Sequence, residues 1–435
     1  MTIDLNAIPH LDELRLRGSF QAEKSEKMPR AAGSRGKIVP SLEKAVVASG
    51  LKSGMTISFH HHFRDGDSIV NMVVDKLAVM GFKDLVVAPS CDPQGNANGY
   101  VRDSESGIKC GAMGYAKTDA RYADKTIVIT NNIVPYPNVP FSVPDTEVDY
   151  VVEVDEIGDP SGIMAGAARF TRNPKELLMA RRITKVIEAS GRFRDGFSFQ
   201  LGLGATSLAV ARFLREKMLA KGITASFALG GITGPVVKLL EEGLVKRILD
   251  VQSFDLEASE SVKKNMLHQQ ISAGCYADPA NPSAAVNQVD VVVLSALEVD
   301  TGFNVNIITG SDGIIRGSIG GHPDTAFGSA VSIVVCPLTR GRIPCVVDRV
   351  GSVVTPGNTV DVVITERGVA VNPGRADLRE LLTAAGVDVT PIEVLREYAA
   401  KLVGASEPVR YLDKIVGVVT YRDGSVLDVI RQVKD

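Results

Sequence analysis

The sequence lacks the patterns that mark several large protein classes. It has no Cys-x-x-Cys pair, and its five cysteines are scattered, an arrangement typical of unpaired thiols in a reducing cytoplasm rather than of a disulfide framework. No run of 18 apolar residues is present, so no membrane span is expected. The first 20 residues carry acidic side chains and no apolar core, which excludes a secretory signal. These absences predict a cytoplasmic protein.

Two catalytic motifs and one binding class are also missing. No Gly-x-Ser-x-Gly elbow leads into a helix, and no Gly-x-x-x-x-Gly-Lys-Ser/Thr loop occurs. The net charge of −3 gives no sign of a nucleic-acid surface. What remains is a soluble globular composition, with 45% hydrophobic and 23% charged residues, over a length that favours two domains.

The chain repeats one pattern of strand, helix and strand. The first copy predicts these elements at 55–59, 68–80 and 85–87. The second copy predicts them at 197–201, 207–220 and 225–228. An offset of 141 relates Gly81 to Gly222. Strand–helix–strand units with short links indicate crossover connections and a parallel sheet, so the sequence predicts an α/β fold built by tandem duplication.

A second shared pattern follows at a larger offset. An offset of 208 relates Asp92 to Asp300, and the second half therefore holds about 66 additional residues. This segment, near 230–296, predicts a helix and two strands, at Pro235–Glu242, Val245–Val251 and Val289–Leu294. We expect an N-terminal arm at 1–40, a first domain at 41–178 that is abridged at 90/91, and a second domain at 179–435.

The junction between Ser90 and Cys91 is too short for a crossover connection, which needs about a dozen residues. We expect residues to be missing there, with the numbering closed over the gap. A normal Cα–Cα separation of about 3.8 Å would instead mean a truly abridged first domain.

Glycine-rich turns follow predicted strands of the second half. Gly202 and Gly204 precede one helix, and Gly230 and Gly231 precede another. Glycine allows backbone N–H groups to approach an anion or oxyanion closely, although a single such motif is more often a plain tight turn. Two such turns at the ends of parallel strands raise the ligand-site interpretation to about even with the plain-turn interpretation.

Further polar and glycine residues follow in the same half. A loop rich in glycine joins two asparagines to the next apolar strand, and its candidate binding residues are Asn304, Asn306, Gly320, Gly321, His322 and Asp324. The asparagines alternate, so on a strand they share one face. The alternative is that they form Asx-turns.

The His60–His62 run invites a metal interpretation. Only His60 and His62 share a face on a strand, and no nearby Cys-x-x-Cys or His-x-x-x-His supplies further ligands, so no metal site is expected. Binding of a carboxylate or phosphate, together with Arg64, is the preferred interpretation.

Five segments together resemble the citrate lyase alpha chain family, and the resemblance runs from about residue 40 to the C-terminus. They are 54–61, 91–100, 227–233, 251–255 and 320–322. The citramalate lyase counterpart is similar. The resemblance implies two tandem CoA-transferase-like (NagB/RpiA-like) domains with mainly parallel sheets.

The resemblance also implies a reaction and partners. Acetyl-thioester on an acyl carrier protein and citrate would give citryl-thioester and acetate. The partners would be a beta (lyase) subunit and a gamma (acyl carrier) subunit in an oligomeric cytoplasmic complex. No cofactor would bind directly, since the thioester sits on the carrier's dephospho-CoA-derived group. Alternatives are a citramalate lyase subunit, a free acyl-CoA transferase or hydrolase, and a non-catalytic scaffold of the complex.

The catalytic residues implied are few. Typical CoA-transferases carry a nucleophilic glutamate where this chain has Leu229, which favours direct transfer through a mixed anhydride. Backbone N–H groups of Gly230 and Gly231 would stabilise the oxyanions, and Glu298 is the alternative carboxylate. The expected substrate- or thioester-binding residues are His60, His62, Arg64, Asn96, Asn98, Gly202, Gly204, Asn304, Asn306, Gly320, Gly321, His322 and Asp324.

Overall fold

The computed structural model describes residues 37–60, 63, 66–90, 113–134, 141–163, 171–202, 204–404 and 408–434. The expected arm lies almost entirely outside these residues, and so does Cys91, whose separation from Ser90 was to decide the junction. Within the described ranges, no helix is both long and apolar enough to cross a membrane.

The helices and strands alternate along most of the chain. Helices α1 to α11 are Leu42–Ser49, Ile69–Val79, Ala116–Tyr122, Pro174–Ala189, Ala205–Lys221, Gly234–Glu241, Leu256–Lys264, Ala273–Ala277, His322–Gly328, Ala376–Ala384 and Ile392–Val403. Strands β1 to β10 are Ile38–Val39, Thr56–His60, Val86–Ser90, Ile127–Thr130, Tyr150–Glu153, Ser198–Leu201, Phe227–Ile232, Ile248–Ser253, His268–Gln270 and Val291–Ser295. Strands β11 to β20 are Glu298–Asp300, Val305–Asn306, Val331–Val335, Thr339–Arg340, Ile343–Pro344, Val346–Val347, Val362–Ile364, Val369–Val371, Tyr411–Thr420 and Val426–Val433.

The second half is built on one eight-stranded sheet. Its order is β18-β17-β13-β10-β6-β7-β8-β9, and every neighbouring pair is parallel except β17 and β18. The central strand β10 reads Val-Val-Val-Leu-Ser, and such β-branched runs suit a sheet that is covered on both faces. Val291 and Val293 belong to a core with α4 and α5, whereas Val292 and Leu294 belong to the core on the opposite face. The mixed α/β architecture with mainly parallel strands was predicted from the repeat.

The first half contains two smaller parallel sheets. β2 pairs with β3, and the other sheet has the order β1-β5-β4. In the second half, β10 lies between β6 and β13, the counterparts of β2 and β4 in the repeat. Among the described residues of the first half, no strand joins β2 to β4. The two sheets instead share a core that includes Phe59, Val73 and Ile129.

The predicted helices and strands are present in the structure, although the sequence analysis predicted elements for only part of the chain. The helices expected at 68–80 and 207–220 are α2 and α5. Between β8 and β10, however, the prediction missed α7, β9 and α8. The missed signal is the N-cap of α7, where the Asp255 side chain accepts a hydrogen bond from the backbone N–H of Ala258 at 2.8 Å.

The two halves meet at α4 and at a short backbone bridge. The expected boundary at 178/179 falls inside α4, whose Met179 and Ile183 lie in the core of the large sheet. Gly114 donates to the Ile271 carbonyl at 3.3 Å and accepts from the Ala273 N–H at 2.7 Å. The start of α8 therefore docks against the first half.

Candidate functional site

Several glycine segments converge at the carboxyl ends of β6, β7 and β10. Gly202 donates its N–H to the Val293 carbonyl at 2.8 Å, which holds the chain after β6 against β10. Gly204, with φ of +140°, opens α5, and a side chain there would lie 3.6 Å from the Ser295 hydroxyl. Carboxyl ends of parallel strands are where α/β proteins usually bind ligands.

The end of β7 carries a β-bulge at Gly230 and Gly231, where the register with β8 shifts. Gly230 has φ of +102°, and an added Cβ would come within 2.6 Å of the Gln200 side chain. An added Cβ on Gly231 would overlap the Phe254 ring. Both positions therefore require glycine, and bulges of this kind often lie beside active sites.

Gln200 and Tyr276 link this bulge to the second glycine turn. The Gln200 amide donates to the Tyr276 hydroxyl at 3.0 Å, and the hydroxyl lies 3.3 Å from the Gln200 carbonyl oxygen. A Cβ on Gly321 would overlap the Tyr276 hydroxyl. Burial raises the pKa of Tyr276 well above its usual value, so the hydroxyl keeps its proton.

His322 is held in one tautomer by its neighbours. Its Nε2 lies 3.2 Å from the Ser295 carbonyl, which only accepts, so Nε2 carries the hydrogen. Its Nδ1 therefore accepts from the Thr355 hydroxyl at 2.7 Å. Burial lowers the pKa of His322 to about 4, so the ring is neutral near pH 7. Both ring nitrogens bind protein groups, and the residue fixes the start of α9 against β10.

Asp324 lies in the first turn of α9 and meets the turn between β19 and β20. Burial raises the pKa of Asp324, and the Arg422 guanidinium, whose Nε donates to it at 3.2 Å, opposes that rise. Arg422 also lies over the Phe327 ring and donates to the Ala277 carbonyl at 3.3 Å. The C-terminal hairpin thus clamps the segment that carries Gly320 and Gly321.

The two asparagines of the second half form an adjoining buried network. Asn306 accepts from the Ile308 N–H at 3.0 Å, which is an Asx-turn, and donates to Glu298 at 3.0 Å. Asn304 donates to both carboxylate oxygens of Asp300 at 3.2 Å and accepts from the Gly357 N–H at 2.9 Å. The Asx-turn alternative is confirmed for Asn306, and both asparagines brace loops with their side chains.

Glu298 is buried, and its carboxylate accepts hydrogen bonds from two neutral groups. Besides Asn306, it accepts from the Gly351 N–H at 3.3 Å. It belongs to β11, in the small sheet β12-β11-β16 that follows β10. The glycine segments at β6, β7 and α9 contact one another through Gln200, Tyr276 and Ser295, while Glu298 contacts the asparagine network.

His60 is the one predicted first-half site residue that the structure describes. Its Nε2 lies 2.6 Å from the Asp119 carboxylate on α3, which also accepts from the Ser58 hydroxyl at 2.6 Å. The α3 helix follows Gly114, the residue that docks on α8. His62, Arg64, Asn96 and Asn98 lie outside the described residues. Within the described part of the chain, no three His, Cys, Asp or Glu side chains are placed to hold a metal ion.

Three contributors to the site were missed by the sequence analysis: Gln200, Tyr276 and Arg422. Gln200 carried a usable signal, since it is an amide between the two large apolar residues Phe199 and Leu201 of a buried strand. Tyr276 and Arg422 carried none, because only the tertiary contacts bring them to the glycine turns.

Comparison with known proteins agrees with the resemblance noted from the motifs. The family model described as citrate lyase, alpha subunit, matches residues 35–91 and 86–433. The chain belongs to the citrate lyase alpha subunit family. It is 46% identical to the citrate lyase alpha chain of Klebsiella pneumoniae, over 95% of this chain and 94% of that one. The Escherichia coli (strain K12) chain is 44% identical, over 96% and 93%.

A crystal structure from Streptococcus mutans, described as the alpha subunit of citrate lyase in complex with citrate, is similar throughout. It shares 46% identity over 92% of both chains, with a TM-score of 0.88. The comparison with the family also bears on the junction at Ser90. The family match is in two pieces that meet at residues 86–91, and the Klebsiella alignment runs over 485 positions although this chain has 435 residues. At about 50 or more of those positions, therefore, the relative has a residue and this chain has a gap.

Proposed function

We propose that this chain is the transferase subunit of a citrate lyase complex, exchanging acetate for citrate on an acyl-carrier thioester. The observation that carries the proposal is the citrate complex of the Streptococcus mutans relative, which is 46% identical over 92% of both chains. The converging glycine segments supply what such a transfer needs, namely backbone N–H groups at the ends of parallel strands.

The proposed chemistry has two transfers. A citrate carboxylate oxygen attacks the acetyl carbonyl carbon, the carbon–sulfur bond breaks, and the carrier thiolate departs. The product of this step is an acetyl–citryl anhydride. The thiolate then attacks the citryl carbonyl, and acetate departs. Both steps pass through an oxyanion, which backbone N–H groups of the Gly230–Gly231 bulge and the Gly320–Gly321 turn would stabilise. Leu229 stands at the usual nucleophile position, so no glutamyl-enzyme is proposed.

The site assignment is part of the same proposal. The second half would hold the thioester at Gly202, Gly204 and the two other glycine segments. The first half would bind the substrate or the thioester through His60, His62, Arg64, Asn96 and Asn98. Glu298, Asn304, Asn306, His322 and Asp324 would shape the surrounding loops, since their described contacts are within the protein.

The proposed architecture is two tandem CoA-transferase-like (NagB/RpiA-like) domains. We place their boundary just before α4, which packs in the core of the large sheet. The proposed setting is a cytoplasmic oligomeric complex with lyase and acyl-carrier subunits, in which the thioester is carried on the carrier's dephospho-CoA-derived group and acetyl-CoA serves as its surrogate.

The function is tested with acetyl-loaded carrier or acetyl-CoA incubated with citrate, with citramalate, or with neither. We expect citryl-thioester and acetate to form in equal amounts, and only when citrate is present. Acetyl loss that does not depend on the added acid would identify a hydrolase, and preference for citramalate would move the chain to the related lyase. A chain that binds its partners without exchange would be a scaffold.

A second expected outcome concerns the junction at Ser90. We propose that the segment missing at this junction contains the counterpart of β10, the strand that joins β6 to β13 in the second half. Inserting the corresponding segment of the Klebsiella relative between Ser90 and Cys91 should restore one continuous first sheet. We expect a higher midpoint of urea unfolding and a faster exchange of acetate for citrate on the thioester. A Gly/Ser linker of equal length is the control, and equal effects of both insertions would contradict the proposal.

A further inference from the structure

A buried polar pair lies between the two glycine segments at the end of the large sheet. Gln200 comes from β6 and Tyr276 from α8, and both side chains are almost fully buried. The Gln200 amide nitrogen and the Tyr276 hydroxyl are 3.0 Å apart. Burying two polar groups is unfavourable unless they bind each other, so this pair is held together strongly.

Each member of the pair contacts a different glycine. An added Cβ on Gly230 would come within 2.6 Å of the Gln200 amide carbon, and one on Gly321 would overlap the Tyr276 hydroxyl and ring. The backbone of the β7 bulge therefore packs directly on Gln200, and the backbone of the turn before α9 packs directly on Tyr276. The hydrogen bond between the two side chains therefore links the bulge to the turn.

The pair is also connected to the first half of the molecule. Ser272, the N-cap of α8, forms a β-bridge with Gly114, and the Ala273 N–H donates to the Gly114 carbonyl at 2.7 Å. Tyr276 follows one turn later on α8, and its N–H bonds to the Ser272 carbonyl at 2.9 Å. Docking of the first half thus sets the position of the helix that carries Tyr276.

We propose that Tyr276, through its hydrogen bond to Gln200, is a positioning residue that holds the Gly230–Gly231 bulge and the Gly320–Gly321 turn at the separation needed to bind one oxyanion. This inference rests on the proposed transferase function. Because small displacements of catalytic groups lower rates steeply, loss of the hydrogen bond acts on turnover more than on substrate binding.

The first test replaces Tyr276 by phenylalanine, which removes the hydroxyl and keeps the ring. We expect kcat for citrate-dependent exchange to fall about tenfold while KM for citrate stays within about twofold. Tyr398→Phe, at a partly exposed tyrosine of α11, is the matched control and should leave both constants unchanged. A fall in kcat/KM caused by KM alone would overturn the proposal, because it would make Tyr276 a substrate contact.

The second test asks whether the two side chains act as one unit. Gln200→Leu should lower kcat by a similar factor, and the Tyr276→Phe/Gln200→Leu double variant should be no slower than either single variant. Multiplying effects would show that the two residues act independently and would contradict the positioning role.

A third measurement does not depend on catalysis. Compared with the wild-type protein, Tyr276→Phe should show faster amide hydrogen exchange in peptides covering 228–232 and 318–322. Peptides of β13 should exchange at the same rate in both proteins. If the wild-type protein shows no citrate exchange, the proposed function fails, and this measurement still decides whether Tyr276 orders the two glycine segments. Unchanged exchange in both peptides would overturn the inference.

Discussion

Replacing Leu229 by glutamate is expected to lower the free energy of unfolding by about 3 kcal/mol or more and to give no faster enzyme. Leu229 is 1% exposed and lies in the apolar core that contains Val292 and Ala277. Gln200, its neighbour on β6, already hydrogen-bonds with Tyr276. A carboxylate at position 229 would be desolvated without a cation, so its pKa would rise and it would be protonated.

The pH dependence of stability distinguishes the cost of burying a charged carboxylate from the cost of a side chain that fits the core poorly. An acid whose pKa is raised on folding destabilises most at high pH, and the penalty shrinks as pH falls toward the unfolded value near 4.3. Urea unfolding of Leu229→Glu, Leu229→Gln and Leu229→Met should therefore show a gap between Glu and Gln that closes at low pH, with Met near wild type. Faster turnover of Leu229→Glu, together with a glutamyl thioester trapped by borohydride, would contradict the anhydride route.

Acidification is expected to destabilise the protein through His322. The pKa of this imidazole is about 4 in the folded chain and about 6.5 when unfolded, because burial disfavours the charged form. Between these values the unfolded chain binds the additional proton, so stability is complete above pH 6.5 and is lost as pH falls toward 4. The expected loss from this residue is about 3 kcal/mol.

The measurement is the free energy of unfolding from pH 7.5 to 3.5 for wild type and His322→Gln. The difference between the two proteins removes the contributions of all other titrating groups. We expect wild type to be the more stable at pH 7.5, because Thr355 and Ser295 lose a well-fitted partner in the variant. That advantage should shrink by about 3 kcal/mol at the acid end, and parallel curves would show that His322 is not buried as a neutral ring.

Part of the site was predictable because local chemistry determines it. The glycines at 202, 204, 230 and 231 were singled out from their place after apolar strand sequences. The structure puts Gly202 and Gly204 after β6, whereas Gly230 and Gly231 form a bulge inside the last part of β7 rather than a turn after it. Asn306 was recognised as a possible Asx-turn, and its contact with Ile308 is of that kind. The partners of these residues could not be predicted, because Gln200 and Tyr276 are 76 residues apart in the chain.

At the junction at Ser90, too, the sequence predicted one part of the result and the structure supplied another. The repeat indicated that the first half is shorter by about 66 residues, since matched glycines and aspartates keep their order at two offsets. The sequence predicted a helix and two strands in the additional segment near 230–296, but it could not show how their absence changes the sheet. The sheet order supports the proposal that a counterpart of β10 is involved: β10 separates β6 from β13, whereas their counterparts β2 and β4 belong to different sheets within the described residues.

The sequence by itself predicted the α/β class, a repeated strand–helix–strand pattern, part of the helices and strands, and the family. These follow from hydrophobic periodicity and from motifs that are contiguous in the chain. Only the tertiary structure decided that His322 is neutral and bound on both nitrogens, that Arg422 of the last hairpin reaches Asp324, and that a hydrogen bond between Gln200 and Tyr276 links two glycine segments. The physical reason is that burial and long-range hydrogen bonds arise from packing between distant segments, which no local pattern encodes.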